Sequence, residues 1–150
     1  MKHKHIQHLY GRASFGANIK DLIQFKSKSK SKVISQLFKD SENYEPLLLD
    51  LSEFSEIKFK SFKQLKEKYT EEEIQKLRRK QQQKVRNLNH AWLERLTEPN
   101  FLLREKMTLF WANVFVCRDN DIYFIQQYNN TLRKYALGNF RAFVKEVARE

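Results

Sequence analysis

Between Leu103 and Phe140 the chain reads LREKMTLFWANVFVCRDNDIYFIQQYNNTLRKYALGNF, and large apolar side chains recur in it at steps of three and four. That is the helical period, and it resumes after the polar break Arg118-Asp119-Asn120-Asp121, which offers a cap for Ile122, Ile125, Tyr128 and Leu132. Leu103, Met107, Phe110, Trp111, Val114 and Phe115 make a face too wide for a helix with one neighbour. The segment from about 101 to 117 is therefore expected at the centre of the fold. On that reading Trp111 is core, and its truncation to alanine costs roughly 3–5 kcal/mol.

A second helix announces its own start. Thr70-Glu71-Glu72-Glu73 is a capping box: the Thr70 hydroxyl accepts from the Glu73 amide while the Glu73 carboxylate reaches back. Three acids also suit the positive end of the helix dipole. Ile74, Leu77, Gln81, Val85, Leu88, Trp92 and Leu96 then form one stripe, predicting a helix over about 71–97 that ends before Pro99. At about 1.5 Å per residue it is about 40 Å long. Gln81 is its single polar position, where the helix is expected to run past the core.

The rest of the chain also reads as helix and loop. A helix from about Lys4 to Ala13 ends at a Phe15-Gly16 turn, and Asn18 caps a short helix with Ile19, Leu22 and Ile23 on one face. Residues 27–32, SKSKSK, are loop-like or the frayed start of the helix carrying Val33, Ile34, Leu37 and Phe38. Residues 40–60 are loop-like; within them Phe54 to Phe62 alternates ambiguously and reads as loop leading into a short helix. Gly138 stands where a left-handed helix end is expected, and Asn139 caps a last helix with Phe140, Phe143, Val144 and Val147 on one side. The expectation is an all-α, irregular bundle of about six helices in one domain spanning 1–150. With only three Gly and two Pro against twelve Phe, six Tyr and two Trp, a packed core is favoured over disorder.

The net charge of +11 is unevenly spread. Residues 1–32 carry eight bases and one acid, Asp40 to Glu56 six acids and no base. The run Lys76, Arg78, Arg79, Lys80, Lys84 and Arg86 puts six cations in eleven residues. Such a run is either a solvated helix face, the commoner case, or a surface for nucleic acid or another anionic polymer. Cys117, the one cysteine, is expected as a buried thiol. No stretch is long and apolar enough to span a bilayer, and the basic start lacks the apolar run of a secretory leader, so the sequence as written reads as cytoplasmic.

Three separated segments carry a resemblance. His8 to Gly16 reads HLYGRASFG, Arg104 to Trp111 reads REKMTLFW, and Leu132 to Phe140 reads LRKYALGNF. In these the chain resembles the bacterial family known as domain of unknown function 1800. Members of that family are often exported and several times longer. The resemblance implies that this chain corresponds to the N-terminal portion of a larger fold, that Glu150 ends a helix short of its continuation, and that apolar faces of the last helices await a partner, a missing segment or a second copy. It also marks His8, Arg12, Arg104, Glu105, Asn113, Asn130 and Arg133 as motif polar residues on apolar helices. These build either an anion site or a hydrogen-bonded core network, the commoner use. Two family histidines are replaced here, by Val114 and Tyr135.

No catalytic constellation emerges. His3, His5 and His8 lack nearby acidic or thiol ligands, so no metal site and no cofactor are expected; His8 reads as packed and hydrogen-bonded against the central helices. Gly11 to Gly16 fits neither a nucleophile elbow nor a phosphate loop, since Ala17-Asn18 stands where Lys-Ser/Thr is required. A structural or interaction module is favoured. Anionic-polymer binding through 76–86 and the basic N-terminus is the alternative, and an enzyme site joining His8 and Arg12 to Arg104 and Glu105 is the weakest reading.

Overall fold

A computed structural model describes residues 1–58 and 60–149 of the chain. Among them the fold is all-helical, with no strand. Eight α-helices follow in order: α1 (His3–Ala13), α2 (Ile19–Phe25), α3 (Lys30–Asp40), α4 (Phe62–Lys68), α5 (Glu71–Arg95), α6 (Leu102–Val114), α7 (Ile122–Tyr135) and α8 (Phe140–Val147). Short 3₁₀ turns, Ser52–Ile57 and Pro99–Phe101, precede α4 and α6. Eight α-helices stand where about six are expected, and the two seven-residue helices, α2 and α4, fall where the sequence suggests short ones. None of the described helices is long and apolar enough to cross a membrane.

The starts are set by local chemistry. Capping boxes begin α2 (Asn18 with Asp21), α4 (Ser61 with Gln64) and α5 (Thr70 with Glu73). Ser29 caps α3, so Lys30 to Lys32 are helical and only the first half of the 27–32 run is loop. Asp121 caps α7 and Asn139 caps α8. Of the Phe54 to Phe62 stretch, Phe59 lies outside the described residues, as does Glu150 at the chain end.

Gly138 is not left-handed; the one glycine with positive φ among the described residues is Gly16, at +128°. α7 needs no such glycine because the Arg104 guanidinium caps it, Nη1 donating to the carbonyls of Arg133 (2.9 Å) and Lys134 (3.2 Å). The other end of the same guanidinium caps α3, through Ser41 O (3.0 Å) and Glu42 O (2.9 Å). One cation thus neutralises the negative ends of two helix dipoles.

α6 packs on α1, α3 and α7, and α7 packs on α5, α6 and α8. The core lies in two clusters. Ile6, Tyr10, Phe25, Val33 and Leu37 of α1–α3 close over Leu102, while Leu47, Leu51, Phe54 and Ile57 pack with Leu88 and Ile122. α2 turns Phe25 and Leu22 inward rather than the predicted Ile19 and Ile23, which are exposed. The α5 stripe is buried or half-buried from Ile74 to Leu96, Gln81 included, so the helix stays against its neighbours throughout.

Candidate functional site

Two regions on α6 carry the unusual chemistry, one sealed and one open. The sealed region is the seam between α6 and α7. α6 ends its apolar run early, at Val114, and the residues it buries are Leu102, Leu103, Arg104, Glu105 and Thr108. Glu105 and Arg133 are both fully buried, and Arg133 Nε donates to Glu105 Oε1 at 2.7 Å. Trp92 Nε1 of α5 donates to the other carboxylate oxygen, Oε2, at 2.7 Å, and the Arg133 guanidinium lies 5.7 Å from the Trp92 ring centroid. Arg133 Nη1 donates to Asn130 Oδ1 at 2.7 Å. Both carboxylate oxygens are therefore satisfied, as a buried ion pair requires, while Arg133 Nη2 is buried without a hydrogen-bond partner. Burial pushes the Arg104 guanidinium below its usual pKa, with the neighbouring Glu105 and Tyr44 opposing the shift.

Asn130 extends this network to residues 44–51, which run as a strap between α5 and α7. Its amide accepts from Leu47 N (2.8 Å) and donates to Leu47 O (2.9 Å). Gln126 Oε1 accepts from Leu49 N (2.7 Å), and the Tyr123 hydroxyl donates to Leu51 O (2.8 Å). Alternate strap residues meet α7 residues three and four apart because about 6.6 Å of extended chain matches roughly 5–6 Å of helix rise. On the α5 side, Lys84 Nζ donates to Asp50 O (2.9 Å) and Arg95 Nη1 to Glu45 O (2.7 Å). Beyond the strap, Glu53 pairs with both Lys80 and Lys84 at 3.2 Å, and Glu56 with Lys68 at 2.7 Å. The acidic segment thus answers part of the basic run of α5. Hydrogen bonds from Lys84 and Lys80 hold the Glu53 carboxyl below its ordinary range, and Lys68 does the same for Glu56.

The open region is aromatic. Trp111, half-buried, stacks on Phe115 (5.7 Å) and Phe140 (5.6 Å) and meets the edge of Phe143 (5.1 Å), its Nε1 donating to Ala136 O at 3.2 Å. Phe143 is the buried anchor of α8. Around this cluster Phe110 and Val114 are each 51% exposed and Phe140 58%, with Val144 also exposed. Cys117 is exposed rather than buried, because it falls in the loop after α6 instead of on the helix. It lines a cavity of about 580 Å³ with Phe115, Val116, Phe124, Tyr128 and Val147.

The motif residues separate accordingly. Arg104, Glu105, Asn130 and Arg133 come together. Asn113 does not join them: it sits on the outer side of α6, its amide donating back to Leu109 O. His8 and Arg12 share a face of α1 but are exposed; with Met1, His5, Leu9 and Lys30 they line a separate surface groove of about 580 Å³. The expected packing of His8 against the central helices is thus corrected, since Ile6 and Tyr10 take the inward positions of α1. No group of His, Cys, Asp and Glu among the described residues is arranged to hold a metal. Val114 and Tyr135, where the family pattern has histidines, both belong to the aromatic region, Tyr135 stacking on Phe143 at 6.3 Å. Of the basic run, Lys76, Arg79 and Arg86 are exposed and Arg78 lines a small cleft with Gln81, Gln82 and Asn120. Sequence reasoning missed Ser41, Gln126 and Tyr123; the last two share a face with Asn130 by their three- and four-residue spacing, the only signal that pointed to the strap.

No curated protein and no solved structure matches the chain. A family model does match, over residues 8–150, from the His8 motif within α1 to the chain end. By that match the chain belongs to the family described as Protein of unknown function (DUF1800).

Proposed function

We propose that the chain is a helical interaction module that docks a protein partner through the aromatic face of α6 and α8, with no catalytic role of its own. One observation carries this reading: Phe110, Val114, Phe140 and Val144 stand exposed over a packed Trp111–Phe143 cluster, in a chain that buries charge elsewhere. A contiguous apolar patch of this kind on a folded domain marks an interaction site more often than chance exposure. Against catalysis stand the sealing of Glu105 and the position of His8 and Arg12 in a different groove. The basic run of α5 supports an anionic polymer less well, because Lys80 and Lys84 are engaged by Glu53.

A photo-crosslinking residue placed at Phe140 or Val144, in the cells that make the chain, is expected to give a discrete protein adduct. The same residue at exposed Gln82, on α5, is the control. Equal adducts at all three positions, or none at 140 and 144, would overturn the assignment of this face.

A further inference from the structure

The aromatic face has a charged edge. On α8, Phe140 and Val144 lie four residues apart on the exposed side, and Arg141 and Lys145 repeat that step one position later, so a row of cations runs alongside the apolar row. The face adjoins a groove across the α7–α8 turn. That groove, about 640 Å³, has Ile34, Phe38 and Leu137 as its apolar wall, with Lys39, Lys134 and Glu42 beside them and Arg104 lining it as well. Phe38 is more than half exposed there. The Arg104 charge is taken up by the carbonyls it caps, which leaves two lysines against one acid. Among the described residues no carboxylate lies within ion-pair distance of Lys39, Lys134, Arg141 or Lys145. The cations beside this face thus lack a carboxylate partner among the described residues, in contrast to Lys80 and Lys84 of α5, which Glu53 engages.

We infer that the partner is an amphipathic helix whose apolar stripe is flanked by acidic residues. The inference rests on the reading of the face as a docking surface and adds the partner's chemistry. A helix fits because the apolar residues follow helical rows and no strand edge is offered among the described residues. Acidic flanks fit because they meet the Arg141–Lys145 row on α8 and Lys39 and Lys134 of the groove. A second copy of this chain fits poorly: among the described residues it offers no acidic row beside its own apolar face, and pairing would bring together two chains each of net charge +11.

Two synthetic helical peptides with the same leucine stripe, about 18 residues long, separate the alternatives. One has glutamate flanks and the other lysine flanks, and each is titrated into the chain by fluorescence anisotropy. The glutamate peptide is expected to bind about tenfold or more tightly at low salt, with the advantage shrinking near 0.5 M salt, where the Debye length falls to about 4 Å. Arg141→Glu/Lys145→Glu, at exposed positions where circular dichroism verifies the fold, should reverse the preference. Equal binding of both peptides, lost in Phe140→Ser/Val144→Ser, would overturn the acidic partner and leave the docking face standing. Binding of neither peptide, or binding indifferent to Phe140→Ser/Val144→Ser, would overturn both. A concentration-dependent dimer abolished by Phe140→Ser/Val144→Ser would overturn the acidic helix in favour of a second copy.

Discussion

The seam between α6 and α7 and the face shared by α6 and α8 place polarity in opposite ways. At the seam Arg104 and Glu105 of α6 are buried with Arg133 of α7; five and nine residues past Glu105, Phe110 and Val114 of the same α6 face outward. The difference shows that burial along α6 follows its neighbours rather than its hydrophobicity. Positions 104, 105 and 108 are inside because α6 must meet the ends of α3 and α7, whose carbonyls need donors. Arg104 provides those donors, and Glu105 anchors the arginine of α7 that would otherwise be unpaired. Once the seam is filled by these groups, the apolar surplus of α6 is left for the surface.

The largest expected effect comes from unbalancing the seam. Glu105→Ala leaves the Arg133 charge buried without its partner and frees the Trp92 donor, and a loss of about 3–5 kcal/mol in urea unfolding is expected. Replacing both members, Glu105→Leu with Arg133→Met, should cost clearly less than the single change, because the desolvated charges leave together. A double variant as unstable as the single one would mean that Asn130 and Trp92, more than the pair itself, hold the seam. Next in size is Trp111→Ala, at about 3 kcal/mol, the low end for a core aromatic because the ring is only half-buried. A loss below about 1 kcal/mol would show that the aromatic cluster contributes little to folding and sharpen the contrast with the seam.

Where the sequence was legible, a single helix decided the matter. The Thr70 capping box and the Ile74 to Leu96 stripe place α5 to within two residues of its end, because its start signal is local and its buried face is apolar. α6 was legible as a helix and illegible as a surface. Its apolar face suggested a core on every side, and only the position of its neighbours decides that Phe110 and Val114 stay outside. The strap was out of reach for a related reason. Leu47 and Leu51 stand four apart, as they would on a helix, yet they lie in extended chain whose hydrogen bonds come from Asn130 and Tyr123, more than seventy residues away. The motif polar residues were read as one set, yet a hydrogen bond to Leu109 keeps Asn113 outside the seam that Arg104 and Glu105 enter.

The acidic residues just beyond the strap supply a smaller effect, dependent on pH. Glu53 and Glu56 have folded pKa values below their ordinary 4.5, so their contribution is present above that value and is lost as pH falls through the folded value. Thermal midpoints should therefore drop as pH falls below about 4.5, and the drop should be shallower in Glu53→Gln. Whether the seam opens together with this acidic segment can be checked by following Trp92 fluorescence, in a Trp111→Phe background, against proteolysis of residues 44–57. Simultaneous loss of both signals would mean that strap and seam unfold as one unit.

The smallest effect is the most telling. Phe140→Ser removes a large apolar side chain, a change that in a core costs several kcal/mol. Here the ring is 58% exposed, α8 is started independently by Asn139, and the helix is held down by Phe143. A change within about 0.5 kcal/mol is expected, as for a surface position. Phe143→Ser, three residues away on the buried side of the same helix, should cost several times more. If the two were equal, Phe140 would belong to the fold and the aromatic face would be core with an open edge. If Phe140→Ser is neutral, the chain keeps a phenylalanine in water that folding does not require, and a surface kept apolar without structural need is one shaped by what it binds.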